Sequence, residues 1–161
     1  MIGGEPKAIA TVRPVLGCIG QKLFDVGGPG CGHTMKALNN FLAATSLAAA
    51  VEAVVAGRRF GLDPAVMTDV INVSTGRSFA SENLIKQHVL SGSFATGFSL
   101  GLLAKDVKIA ADLAAQMALE MPIMQLVRDL WADARDDIGS EVDHTRAATY
   151  WEERTFHEAV E

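Results

Sequence analysis

Gly27-Gly28-Pro29-Gly30-Cys31-Gly32-His33-Thr34-Met35-Lys36-Ala37-Leu38-Asn39-Asn40 leads into a run that stays nearly free of charge as far as Arg58-Arg59. From about residue 34 to 59 the only charges are Lys36, Glu52, Arg58 and Arg59. A helix that is apolar on nearly every face is expected to be central and buried. Gly61 ends it, and Asp63-Pro64 opens the next helix, with Asp as cap and Pro at the first helical position. That second helix is expected to reach about 73, where Ser74-Thr75-Gly76 breaks it. A third is expected over 79–90, before a Gly/Ser/Phe loop over 91–99. A fourth, over 100–117, sets Leu103, Val107, Ala110, Ala114 and Met117 on one stripe and Asp106, Lys108 and Asp112 on the other face. Pro122 starts a fifth that Gly139 ends, and Asp143 is positioned to cap a last one through Trp151. The body from residue 27 onward therefore reads as all-α.

Residues 1–26 differ. Met1-Ile2 before Gly3-Gly4 looks like the end of a strand, residues 6–19 have helical spacing with Pro14 inside, and Lys22-Leu23-Phe24-Asp25-Val26 alternates like a second strand. Strand, helix, strand is one unit of an α/β sheet. Two short strands cannot cover their own edges. The opening is therefore expected to be the stub of a larger domain, with Met1 to Gly4 frayed or paired with a neighbouring chain.

Composition sets the classes. In 161 residues, 14 Lys and Arg face 19 Asp and Glu, a formal charge of −5 that argues against duplex nucleic acid as a partner. Apolar residues are 49%, or about 58% with the 15 glycines, against about 45–50% in ordinary globular chains. That excess excludes disorder and suggests surface meant for another domain or subunit. Cys18 and Cys31 form no CxxC, so neither a disulfide scaffold nor a zinc site is expected, and a reducing cytoplasm is the default compartment. His33, His88, His144 and His157 have no mutual metal spacing. Residues 41–56 are the one membrane candidate. They are too short and too alanine-rich for a span, and no membrane partner is expected.

Three features bear on chemistry. The glycine turn fits neither GxGxxG nor Walker A, because His33 stands where the third glycine belongs and no Gly-Lys-Ser/Thr follows. It reads as a tight connection, which is compatible with close approach to a ligand. Lys36 sits in the first turn of an apolar helix, where the dipole and burial both disfavour the ammonium. It is either a lysine reaching back to solvent or an acid/base group. Asn39 and Asn40 share its face at i+3 and i+4, so an ammonium and an amide can meet one small polar ligand. Lys105 and Asp106 are adjacent, face two directions, and are not expected to pair with each other; a solvated charged face is the plain alternative.

Gly27-x-x-Gly30-x-Gly32-x-x-x-Lys36-x-x-Asn39-Asn40 resembles the catalytic-lysine motif of the β-hydroxyacid dehydrogenases, the family of 3-hydroxyisobutyrate dehydrogenase and tartronate semialdehyde reductase. Phe98 and Leu103-Ala104-Lys105-Asp106 resemble its second motif, and Gly61-Leu62-Asp63-Pro64 and Ser74-x-Gly76-x-Ser78 follow its order and spacing. Met1-Ile2-Gly3-Gly4 and Arg13-Pro14-Val15-Leu16 resemble the end of its Rossmann domain. The resemblance implies that residues 1–26 are the tail of an N-terminal nucleotide-binding domain. It also implies that 27–161 are a helical domain of the 6-phosphogluconate dehydrogenase C-terminal type, serving substrate and dimer. Lys36 would be the general acid/base. Asn40, Asn39, Phe98, Asp106 and Gly32 would bind substrate, and Lys105 with Phe98 would contact the cofactor.

The cofactor would be NAD or NADP, held mainly by a domain outside these residues, so the chain alone is expected to be inactive. The substrate would be a small carboxylic acid. Asn39-Asn40, where 6-phosphogluconate dehydrogenases have His-Asn, favours the small-acid branch, and Lys36 counts against imine reductases. A non-catalytic dimerisation module is the alternative. A homodimer or higher homo-oligomer is expected through the helical body, with Trp131 or Trp151 near or in the contact.

Overall fold

The computed structural model describes residues 1–157. Local chemistry sets most helix ends. Gly30, at φ 87°, turns the chain into α2 (Cys31–Phe60), which runs 30 residues to a left-handed Gly61 at φ 103°. Only glycine adopts that last conformation cheaply, and it lets the Gly61 N–H close on the Arg58 and Gly57 carbonyls. Asp63 caps α3 (Pro64–Asn72) by accepting from the N–H groups of Ala65 and Val66. Ser99 caps α4 (Leu100–Gln116), and Pro122 opens α5 (Pro122–Ile138), which stops at Gly139. Asp143 caps a single 3-10 turn (His144–Arg146), and α6 (Ala147–His157) follows it.

The chain is all-α in its regular structure; among the described residues no strand forms. The core lies between α2 and α4, with α5 and α6 closing it. Ala44, Leu47, Ala48, Val51 and Val54 of α2 meet Leu100, Leu103, Ala104 and Val107 of α4, and Trp131 fills the gap to α5.

Several expectations need correction. The long helix is not buried all round. Its neighbours cover one stripe, and Leu42 and Phe60 stand 63% and 87% exposed. Its 30 residues are also long and apolar enough, by length and composition, to cross a bilayer, unlike the sixteen-residue stretch read from the sequence. In this fold the buried stripe is the protein core. The segment Ser81–Leu90 is wound as a π-helix rather than an α-helix. Asp106 leaves the charged face: it is 3% exposed. Met117 leaves the buried stripe and lies in the surface. Trp131 is fully buried and packs edge-on against Trp151 within the chain, so Trp131 cannot lie in a contact between chains.

The opening segment forms no full strand pair. Ile2 and Asp25 make one parallel bridge across α1 (Pro6–Gly17), with Ile2 N–H on the Phe24 carbonyl and Val26 N–H on the Ile2 carbonyl, 2.8 and 2.9 Å. The stub therefore pairs within its own chain and is not left frayed. Two glycines dock it on α2: a Cβ on Gly3 would lie 2.6 Å from the Gly32 nitrogen and 2.7 Å from the Gly28 carbonyl. Backbone cannot yield as a flexible side chain can. Gly3→Ala should therefore loosen the bridge, seen as faster amide exchange at Ile2, Gly4 and Val26 with the helical core unchanged. Unchanged protection at those three amides would mean that the close approach does not hold the stub.

Candidate active site

Lys36 and Asn40 are one helical turn apart on α2, on the side that α4 crosses. Asp106 is in the second turn of α4, three residues after Leu103 and four before Ala110, so the face that carries the core also carries this carboxylate inward. It lands between the two α2 side chains. Its Oδ2 accepts from Lys36 Nζ and from Asn40 Nδ2, each at 2.7 Å, and its Oδ1 pairs with Lys105 Nζ at 3.1 Å. Lys105 curls back on its neighbour, against the expectation that the adjacent pair would not meet.

Burial raises the Asp106 carboxyl, but the hydrogen bonds from Lys36, Lys105 and Asn40 and the Lys36 charge outweigh it. The group is held below the usual carboxylate range and stays ionised. A buried carboxylate is tolerable here because two ammonium groups and an amide bond it. Lys36 reaches solvent, one of the two readings its position allowed: its side chain is 53% exposed. One N–H goes to Asp106, and the ammonium opens on a groove of about 540 Å³ between α2 and the stub, lined by Ile2, Gly3, Leu23, Gly32 and His33 among others. Gly32 shares that groove, and its lack of a side chain has a packing reason as well. A Cβ there would meet the Gly3 nitrogen at 3.1 Å.

Asn39 is exposed and donates to Asn40 Oδ1 at 3.3 Å. It lines a second cavity, about 630 Å³, with Asn40, Phe98, Thr96 and His144. Asn40 is thus the hinge of the site. Its amide touches Asp106 on the Lys36 side, and its residue borders the second cavity with Phe98. Phe98 is held there by backbone: His144 N–H donates to its carbonyl at 3.0 Å, beside a bridge between Ser99 and Asp143. The structure brings Lys36, Asn40, Lys105 and Asp106 into one cluster, and Asn39 and Phe98 into the adjoining cavity.

Sequence reasoning assigned His144 no chemistry, yet it lines this cavity. Burial pushes its imidazole down from the ordinary value, against the raising effects of the Phe98 carbonyl and Asp143. Nothing in the local sequence marks it, since its surroundings come from residues 46 to 48 positions away.

Comparison with known proteins gives the family of the chain. Residues 30–151 match the family model described as NAD-binding of NADP-dependent 3-hydroxyisobutyrate dehydrogenase. The chain belongs to the 3-hydroxyisobutyrate dehydrogenase family. It is 31% identical to 2-(hydroxymethyl)glutarate dehydrogenase of Eubacterium barkeri over 96% of this chain and 52% of that protein. It is 28% identical to 2-hydroxy-3-oxopropionate reductase of Escherichia coli K12, over 90% of this chain and 49% of that one. A solved 3-hydroxyisobutyrate dehydrogenase from Mycobacterium tuberculosis, with L-serine, superposes with a TM-score of 0.85 at 26% identity. That match covers 94% of this chain and 54% of the other.

The chain spans about half the length of the relatives it matches. The family's cofactor is a nicotinamide dinucleotide, and the matched residues are the helical body itself.

Proposed function

We propose that these residues are the substrate-side portion of an NAD(P)-dependent dehydrogenase that interconverts a small β-hydroxy acid and its semialdehyde or keto acid. The observation that carries the reading is the Lys36–Asp106–Asn40 cluster: a half-exposed ammonium anchored by a buried, ionised carboxylate that also fixes an amide. Residues 27–161 are then the helical domain of the 6-phosphogluconate dehydrogenase C-terminal type, and 1–26 the tail of a Rossmann domain. The parallel bridge across α1 supports that last assignment. Exposed Leu42, Phe60, Val70 and Val73 support a homodimer through the helical body.

An ammonium has three donors. Asp106 engages one on Lys36 and leaves the others for a substrate oxygen. In oxidation, Lys36 Nζ as free amine takes the hydroxyl proton; in reduction, its ammonium returns a proton to the carbonyl oxygen. Its charge also stabilises the developing alkoxide. Asn40 hydrogen-bonds the substrate and shares Asp106 with Lys36, so one carboxylate sets both donors. Phe98, Asn39 and Gly32 border the bound acid.

The residues present fit a nicotinamide dinucleotide. The groove beside Lys36 has an apolar wall for a flat ring, and Lys105, more than half exposed, has donors left for an anionic or amide group. When bound, the cofactor supplies the hydride acceptor in oxidation and the hydride donor in reduction. Residues 1–161 form one wall of that place, so by themselves they are expected to give no turnover.

The test assays small 3-hydroxy acids and their semialdehydes with NAD and NADP, using the protein that joins these residues to a dinucleotide-binding domain. Turnover of at least one pair is expected. A folded, dinucleotide-binding protein that reduces and oxidises none of them would overturn the reading.

A further inference from the structure

The cavity beyond Asn40 is larger than the proton transfer requires. Its walls are partly apolar, from Phe79 and Phe98 among others, and partly polar, from Asn83, Thr96, His88 and His144. Among the described residues no Lys, Arg, Asp or Glu lines it. A second carboxylate would find no Lys or Arg there, and a plain methyl group would leave the polar groups without a partner.

One of those groups is built in with care. His144 is 7% exposed, between Phe98, edge-on at 5.8 Å, and Trp131 at 6.4 Å. Its Nδ1 lies 3.1 Å from the Phe98 carbonyl oxygen and 3.1 Å from Thr96 Oγ1. A carbonyl only accepts, so Nδ1 carries the proton and donates. In a neutral ring Nε2 is then the bare acceptor. No described residue donates to Nε2.

We propose that His144 determines specificity: its Nε2 accepts a hydrogen bond from a second hydroxyl, on the carbon beside the reacting one, of a small hydroxy acid whose reacting carbon sits at Lys36. The preferred substrates are β-hydroxy acids with a second, neutral hydroxyl, of the glycerate kind, over analogues with a methyl or a second carboxylate in its place. This rests on Lys36 being the acid/base. Asn40 lines this cavity and shares the Asp106 carboxylate with Lys36, so it joins the cavity to the acid/base group.

The test compares glycerate, 3-hydroxyisobutyrate and 2-(hydroxymethyl)glutarate as substrates of the whole enzyme, in wild type, His144→Phe and Lys36→Ala. Wild type should favour glycerate. His144→Phe should lower the glycerate to 3-hydroxyisobutyrate ratio of kcat/KM by about 10²-fold or more, because a site built to bond a hydroxyl discriminates strongly against its absence. An unchanged ratio in His144→Phe, with Lys36→Ala inactive, overturns the His144 assignment and leaves the acid/base reading standing.

A direct arm needs no turnover. Ring-nitrogen NMR of the wild-type enzyme should show Nδ1 protonated and Nε2 shifted by glycerate but not by 3-hydroxyisobutyrate. It decides on His144 where His144→Phe fails to fold or Lys36→Ala proves active. No shift at saturating glycerate overturns the proposal.

Discussion

Lys36→Ala should lower kcat of the complete enzyme by about 10²–10⁴, the usual worth of a positioned acid/base. The substitution should leave the fold largely intact. Lys36 is half exposed, and Asp106 keeps Asn40 at 2.7 Å and Lys105 at 3.1 Å as compensating donors. KM should change less than kcat, since the proton moves only as the transition state is reached. Lys36→Arg should not rescue: a guanidinium keeps the charge but does not give up its proton in a protein. Small primary amines added to Lys36→Ala should restore part of the rate, because the space vacated opens on the groove rather than on core. Steady-state kinetics with the preferred hydroxy acid checks this, and a loss under threefold would remove Lys36 from the mechanism.

The parts of this architecture that were legible from sequence are those decided within a few residues. Gly61, Asp63-Pro64, Pro122 and Gly139 each punctuate a helix by local backbone chemistry, and the structure puts helix ends at or next to each of them. Lys36 and Asn40 share a face because helical spacing requires it. What escaped depends on which elements pack together. The apolar content of α2 says nothing about how many neighbours cover it, so full burial was the wrong expectation and Leu42 stands in solvent. A parallel bridge between Ile2 and Asp25 is set by docking two glycines, Gly3 and Gly32, 29 positions apart.

Asp106 lay between these cases. Charge assigned it to the solvent face, although its spacing from Leu103 and Ala110 already put it on the buried stripe, and a carboxylate on an apolar stripe is the sign that a cation will come from another helix. The π-helix at Ser81–Leu90 left no pattern distinct from an ordinary helix.

Asp143 was read as a helix cap, and its role is wider, which makes it the position of largest expected effect on stability. Its Oδ1 accepts from Thr145 N–H and Oγ1 at 3.0 and 2.6 Å, the capping contacts of the 3-10 turn. Its Oδ2 accepts from Thr96 N–H, Thr96 Oγ1 and Gly97 N–H at 2.7, 2.6 and 3.0 Å. One carboxylate, 9% exposed, therefore ties the loop before α4 to the start of α6. Asp143→Ala strands three backbone donors and two hydroxyls in a largely closed place, and should cost about 3–5 kcal/mol. Melting temperature should fall on the order of 10 °C.

The pH dependence separates this from a packing defect. Burial raises the Asp143 carboxyl, but the bonds from Thr145 and Thr96 and the nearby His144 hold it well below the usual range. The unfolded chain then takes up the proton first, near pH 4, so the stabilisation is present above that pH and is lost as pH falls further. The wild-type curve should bend earlier as well. His144 is held below its ordinary value, so the unfolded chain binds its proton first, and stability declines as pH drops below about 6.5. Denaturant melts of both proteins from pH 8 to 3 check these signs. The gap between them should narrow below about pH 4, where protonation of Asp143 in the unfolded wild-type chain favours unfolding and the variant has no such group. A gap that stays constant to pH 3 would mean that the loss in Asp143→Ala comes from shape and not from the carboxylate.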